Sequence, residues 1–504
     1  MNAGNKVVGT SIIMYIQLIL NVLIGLITVR LLLNALGESD YGLYDLIGGV
    51  IGLFGFITSS LSQSSLRFIS VSLGRGDDGD TASVFNSCFW LHVIFAIALC
   101  VLLEVIGVFL FHGFLNIDPL RILVAKIVFH CMVFSLFVNI IVSPLIALVS
   151  SYECFFFVAI VSVVDSLLKL GIAIVVYYTM QDKLLVYGVL MVGISLVNFL
   201  LYFCFTKRKY KSILCIRFPR ISALKDVAGF ASWTLLDTFS SVINRQGYAI
   251  MLNKFFGTVM NSAFAVSRQL EGHVYSVSAS VVNAMKPQVM KSYGCGDNDR
   301  MFRLSLTAGK FGFYLMSLVC IPLIVMMPDV LHLWLGRVPE NTTVFARLLV
   351  LACMFEQMTR GLVYANQAVG NVKWFSIIVS TMRILALPAS VLALIIGAQA
   401  WVAILIFVFF EFVGSLCRVF VLARITVFKP ISFFRDVLFQ VLPPTIFAAL
   451  TCFLLYGIRT SVWWMLIVSF ITCSVMIASV CFLGLTNEEK AFLTNLVKGF
   501  LHRS

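Results

Sequence analysis

Sixteen ionisable residues stand inside otherwise apolar stretches of this 504-residue chain, and chemistry would have to come from them. The bases are Arg30, Lys126, Lys169, Arg245, Arg268, Arg347, Arg360, Arg383 and Arg418; the acids are Asp45, Glu104, Asp165, Asp237, Glu271, Glu356 and Glu411. A charge at the centre of a membrane helix costs roughly 2.5 to 3.5 kcal/mol on insertion scales, so each needs a partner, water or a ligand. Asp165 with Lys169, Glu356 with Arg360, and Arg268 with Glu271 are spaced as neighbours on one helical face, where they neutralise each other. Lys126, Arg347 and Arg418 fall within about two turns of a span end, near enough to carry their charge to the interface. Arg30, Arg245 and Arg383 have no acid at pairing distance on their own helices. Each must meet an acid on another helix, water in a cavity, or an anionic ligand, and a guanidinium suits a phosphate because it can hold two oxygens at once.

The elements that position these groups follow from composition. Hydrophobic residues make up 61% of the chain and charged residues 12%, with a mean hydropathy of +1.02. No aqueous core could hide so much apolar surface, whereas a bilayer span needs about 20 apolar residues. Fourteen such stretches can be laid out, at 9–33, 41–66, 85–111, 122–149, 155–178, 184–205, 230–255, 259–285, 307–327, 343–369, 375–396, 401–422, 437–456 and 462–485. The expected fold class is an all-α polytopic membrane protein. The first stretch is too long for a signal-peptide core and lacks a small-x-small cleavage site, so it is expected to stay as the first helix.

The net charge of +13 is explained by where the bases sit rather than by nucleic acid. Apart from the nine bases named above, 22 Lys and Arg fall between the spans or at their ends on one side and five on the other: Arg121, Lys183, Lys254, Arg337 and Arg459. The positive-inside rule then places both termini in the cytoplasm. Thirteen cysteines are scattered without a C-x-x-C pair, and Cys215 and Cys295 fall in predicted cytoplasmic loops, so no disulfide framework or metal site is expected. His92, His130 and His273 lack ligand spacing, and Asp78-Gly79-Asp80 reads as a solvated turn. No G-x-x-x-x-G-K-[ST] phosphate loop is present, which speaks against ATP-driven export. No cofactor is expected.

The basic stretch after the sixth span divides the chain into a six-helix lobe at 1–206, a linker at 207–228, a second six-helix lobe at 229–424, two further helices at 425–485, and an amphipathic tail at 486–504. Bases in the linker suit the anionic inner leaflet, with recruitment of lipid headgroups as the sharper reading. An internal repeat supports the division. At an offset of 220, Gly37 falls on Gly257, Ser72 on Ser292, Gly74 on Gly294, Gly76 on Gly296 and Asp77 on Asp297. Asp237 and Glu271 sit in the first two helices of the second half and are the first choices for a coupling ion. Gly48, Gly49, Gly52 and Gly55 form a small-residue stripe suited to helix packing or to a bending helix. Thr486 and Glu489 are spaced as a capping box that opens the tail.

The segment Arg30-Leu-Leu-Leu-Asn-Ala-Leu-Gly-Glu-Ser-Asp-Tyr-Gly-Leu-Tyr resembles the start of the polysaccharide transporter family, the Wzx-type lipid-linked oligosaccharide flippases. The helix count, the central basic loop and the two-half pattern extend the resemblance over essentially the whole chain. That family belongs to a superfamily with MATE multidrug exporters and lipid II flippases. The resemblance implies two six-helix lobes in a V shape around a central cavity, alternating access, and carriage of an undecaprenyl-pyrophosphate-linked glycan from the cytoplasmic to the periplasmic leaflet. It makes Arg30, Arg245, Arg268 and Arg383 the expected pyrophosphate contacts, and the lipid-linked glycan, membrane lipids and polysaccharide assembly proteins the expected partners. A MATE-like multidrug exporter is the alternative. A membrane glycan polymerase fits less well, because the longest outside loop has only about 15 residues, whereas such enzymes resemble one another in a large periplasmic catalytic loop.

Overall fold

The computed structural model describes residues 3–52, 54–76, 78–111, 119–213, 221–335, 338–458, 461–486 and 489–490. Cys215, most of the tail and the side chain of Asp45 lie outside the described residues.

Among those residues every regular element is a helix. In chain order they are α1 (Ala3–Gly52), α2 (Gly55–Arg75), α3 (Asp78–Phe109), α4 (Ile122–Ser151), α5 (Phe155–Tyr178), α6 (Lys183–Lys209), α7 (Ile221–Gly294) and α8 (Asn298–Val325). There follow α9 (Met327–Leu335), α10 (Thr342–Val369), α11 (Lys373–Ile395), α12 (Ala400–Ile425), α13 (Pro430–Phe433), α14 (Phe439–Tyr456) and α15 (Val462–Ser479). Eleven segments are long and apolar enough to cross a membrane. Their outer faces carry large apolar side chains that water would not tolerate, such as Phe109 at 71% and Trp463 at 78% exposure. The chain is an all-α polytopic membrane protein.

The three remaining expected spans, at 41–66, 230–255 and 259–285, are helical but differ from simple crossings. The first is interrupted: α1 ends at Gly52, the Phe54 amide closes back on the Ile51 carbonyl at 3.1 Å, and α2 begins at Gly55. The other two belong to α7 and are separated by Gly257. Gly37 breaks α1 in the same way, with φ 76° and ψ 170° against φ 81° and ψ −169° at Gly257. A positive φ is open to glycine without steric cost, so both helix breaks rest on that residue type. Gly76 and Gly296 also share a left-handed conformation, with φ 78° and 79°. Two glycine pairs of the repeat therefore take matching backbone conformations.

The chain divides into two compact units. The N-terminal unit comprises Gly9–Thr238 and Met290–Gly296; the C-terminal unit comprises Phe239–Val289 and Asp297–Ser504 with Met1–Val8. In the N-terminal unit α4 packs against α2, α3 and α6 around buried Leu103, Val128, Phe129 and Ile140. Arg121, ahead of α4, pairs with Asp40 in the turn after Gly37 and with Asp182, the residue that caps α6 by accepting from the Leu185 amide. Of the glycine stripe only Gly48 meets a neighbouring helix, where a Cβ would lie 3.8 Å from Met132 of α4; among the described residues a Cβ on Gly49, Gly52 or Gly55 would meet nothing within 4 Å. The two last members of the stripe instead flank the break between α1 and α2.

In the C-terminal unit α10 lies between α8 and α12, and α11 packs on α12. Gly309 and Gly361 let α8 and α10 touch backbone to backbone; a Cβ on Gly309 would fall 2.6 Å from the Met358 carbonyl oxygen. Lys310 of α8, buried at 3% exposure, donates to Gln440 of α14 at 2.8 Å and pairs with Glu489. Glu489 in turn accepts from the Thr486 amide at 2.9 Å while its own amide donates to the Thr486 hydroxyl at 3.3 Å, the capping box expected from the sequence.

Candidate functional site

The C-terminal unit holds a network of intramembrane charges centred on Glu356. Its spacing from Arg360 on α10 brings the two together at 3.1 Å. From α11, Arg383 donates to Glu356 at 3.2 Å and to Glu411 of α12 at 3.0 Å. Its third nitrogen donates to the Ser241 hydroxyl of α7 at 3.0 Å, and the Arg383 carbonyl accepts from Asn244 at 2.8 Å. Arg418, one heptad beyond Glu411 on α12, points at both carboxylates from 3.9 Å and donates to Thr359 at 3.2 Å. Three helices are thus tied together through two glutamates.

Arg418 was expected to reach a span end, but it is 2% exposed and turned inward. The reason is helical phase. A seven-residue step from Glu411 is nearly two full turns, so both side chains lie on the buried face of α12. The sequence reading did not connect Glu356, Glu411 and Arg418, although the seven-residue spacing was the available signal.

Arg268 and Glu271 form the expected local pair at 2.8 Å. The Arg268 guanidinium also lies 5.1 Å from the Phe264 ring centroid and 4.8 Å from that of Phe407, which offsets part of its desolvation. Arg360 sits 4.3 Å over Tyr275. Within this unit four arginines, Arg268, Arg360, Arg383 and Arg418, face three glutamates, Glu271, Glu356 and Glu411.

Arg245 belongs to the same unit; it is exposed and makes no ion pair among the described residues. Arg30, in the N-terminal unit, is also exposed and has none. The structure therefore brings Arg383 into the buried network, keeps Arg268 on its neighbouring glutamate, and leaves Arg30 and Arg245 with their charge available. Asp237 lies in the N-terminal unit and is half-buried.

The N-terminal unit has a polar centre of its own. Asp165 of α5 pairs with Lys169 at 2.7 Å, as its spacing predicts, and accepts from Asn198 of α6 at 2.7 Å. Both line a cavity of about 280 Å³ whose walls also include Tyr44, Ser135, Asn139 and Ser195. Asn21 of α1 extends the polar surface of α5 through Ser162 and Ser166, at 2.8 and 3.0 Å. Lys169 lines the cavity as well, so what faces it is an Asp165–Lys169 ion pair among neutral polar groups, an environment suited to water or to an exchangeable proton. The sequence offered Asp165 as half of a local pair and as one of seven acids able to carry a coupling proton, but not as the first choice, because neither Asn139 nor Asn198 carries a charge to draw notice.

No protein-family model matches the sequence, and no curated protein matches it. The fold does have relatives among solved structures. A crystal structure of a MATE mutant superposes with a TM-score of 0.73 at 14% identity, over 85% of this chain and 96% of that one. An outward-facing multidrug resistance MATE family transporter of the MOP superfamily gives 0.66 at 15%, over 84% and 97%. A MOP superfamily transporter from Pyrococcus furiosus, described as having a binding pocket of reverse polarity that suggests a different function, gives 0.69 at 15%, over 85% and 96%. At these identities the likeness is one of fold: the chain has the architecture of MATE-type members of the MOP superfamily.

Proposed function

We propose that this chain is an alternating-access transporter that flips a polyprenyl-pyrophosphate-linked oligosaccharide from the cytoplasmic to the periplasmic leaflet of a bacterial inner membrane. The observation that carries the reading is the excess of arginine inside the C-terminal unit. Four arginines against three glutamates leave the intramembrane network cationic, and Arg245 adds an exposed charge with no ion pair among the described residues. A site for cationic drugs would favour the opposite balance, whereas a diphosphate is matched by guanidinium groups. That a solved neighbour is described by reverse polarity of its binding pocket supports a fold able to carry either sign.

In this reading Arg30, Arg245, Arg268 and Arg383 are the candidate pyrophosphate contacts. Arg30 and Arg245 are the best placed, because their charge is not already used by an acid. The tail of the lipid stays in hydrocarbon while the sugars cross through water held by the protein. Export is driven by an ion gradient or by the glycan gradient. Asp237 and Glu271 were the sequence's choices for the coupling ion. Both Asp165 and Glu271 are paired with a base, Lys169 and Arg268, but Asp165 now takes precedence because it lines a polar cavity.

The second reading, a MATE-like multidrug exporter, draws on the same Asp165 cavity and on the neighbour described as a multidrug resistance transporter. One experiment separates them. Deleting the gene should cause lipid-linked oligosaccharide to accumulate in the inner leaflet with drug susceptibility unchanged. Raised drug susceptibility without accumulation would select the exporter instead.

A further inference from the structure

α5 and α6 leave between them an open groove of about 800 Å³ in the N-terminal unit. Its walls are apolar, formed among others by Phe157, Leu200, Leu201 and Phe205, and Arg208 and Lys209 stand at one end. The rings of Phe157 and Phe205 stack at 3.8 Å, which stiffens the floor, and Leu200 is 54% exposed on the rim.

Basic residues in the last turn of α6 are ordinarily explained by the helix dipole. That accounts for a positive sign but not for how Lys209 is held. Its ammonium lies 5.5 Å from the Phe205 ring centroid and 5.6 Å from that of Tyr210, and donates to the Cys154 sulfur at 3.1 Å. It is therefore kept over the end of the groove. Among the described residues no carboxylate pairs with Lys209 or with exposed Arg208. An apolar slot with two cations at its mouth complements a molecule that joins long hydrocarbon chains to an anionic phosphate.

We propose that this groove is a binding site for an anionic phospholipid of the leaflet that the charge segregation marks as cytoplasmic. The acyl chains lie along Phe157, Leu200 and Leu201, and the phosphate is held by Arg208 and Lys209. The groove lies wholly within one unit and does not depend on the identity of the transported cargo. A lipid seated there would brace α5 against α6 beside the end of the membrane.

The test is native mass spectrometry of the full chain in detergent, titrated with phosphatidylglycerol and with phosphatidylcholine of identical acyl chains. One equivalent of phosphatidylglycerol should bind about tenfold more tightly, as expected for a charge-assisted phosphate contact. Arg208→Ala with Lys209→Ala should erase the preference. Leu200→Trp, which fills the slot and spares both charges, should weaken both lipids. Arg300→Ala with Arg303→Ala, exposed bases elsewhere on the chain, should change nothing. In nanodiscs, phosphatidylglycerol should also slow alkylation of exposed Cys204, which lines the groove. An unchanged preference in the Arg208 and Lys209 variant would overturn the proposal, as would an equal loss in the Arg300 and Arg303 variant. Displacement of phosphatidylglycerol by equimolar polyprenyl phosphate would also overturn it and assign the groove to the cargo lipid.

Discussion

Gly74 and Gly294 occupy equivalent places in the internal repeat and pack directly against each other within the N-terminal unit. A Cβ on either would lie 3.0 Å from the other's Cα. The Gly74 Cβ would strike the carbonyl oxygen of Lys291, and the Gly294 Cβ that of Val71. Val71 and Lys291 are themselves 220 positions apart, so the contact is reciprocal. The Cys295 thiol closes it further by donating to the Gly74 carbonyl at 2.9 Å.

This contact predicts that Gly74→Ala and Gly294→Ala each destabilise the protein by about 1 to 3 kcal/mol through overpacking. Because both strain the same junction, the double variant should lose less than the sum. Reversible unfolding in detergent checks this. Full additivity would show that the two glycines do not share a contact.

Removing Glu356 should be more damaging than removing Arg383. Glu356→Gln takes from Arg360 the carboxylate it pairs with and leaves Arg383 and Arg418 with Glu411, and breaking such a buried network costs about 3 to 5 kcal/mol. Membrane abundance of a fluorescent fusion should fall sharply. Replacing Arg383 and Glu411 together by Leu should be milder than Glu411→Leu alone.

The charge split of 22 to five predicts which side each loop faces. An impermeant thiol reagent should miss Cys215 and Cys295 in intact cells and reach exposed Cys295 once the inner membrane is opened. Labelling of either cysteine from outside would reverse the orientation.

Much of the fold was open to reading from hydropathy and spacing. Three local ion pairs form where residues three or four apart share a helical face, and Gly37 and Gly257 bend the chain alike because both need a positive φ. What could not be read was rotation of one helix against another. Arg383 finds Glu411 28 residues away on the next helix, a pairing set by how α11 packs on α12 rather than by any periodicity. Arg418 lay near a span end in one dimension, yet its helix turns it inward. The glycine stripe at 48–55 shows a similar limit: small residues permit close approach, but among the described residues only Gly48 meets a partner, Met132 of α4.

Arg30→Gln and Arg245→Gln should leave membrane abundance unchanged, since neither arginine has an ion pair among the described residues to lose. Each should lower export about tenfold or more if it contacts phosphate. Arg→Lys should rescue only in part, because the ammonium keeps the charge but loses the fork. Arg268→Gln should behave differently and lower abundance, as it strands Glu271.

Gradient-driven export should also need Asp165. Asp165→Asn keeps the shape and the Asn198 contact but removes the carboxylate that faces the cavity beside Lys169. Downhill exchange of cargo should survive while the response to an imposed ion gradient disappears. An intact gradient response would return the coupling role to Asp237 or Glu271.

The central claim is that this chain moves a pyrophosphate-linked glycan across a bilayer. Its most direct test is purified protein in liposomes carrying a fluorescent polyprenyl-pyrophosphate oligosaccharide in one leaflet, with an impermeant quencher outside and no ATP. The account predicts that the glycan becomes quenchable faster than in protein-free liposomes, that an ion gradient accelerates it, and that Arg245→Gln slows it about tenfold. Movement no faster than in protein-free liposomes, or movement only when ATP is supplied, would contradict it.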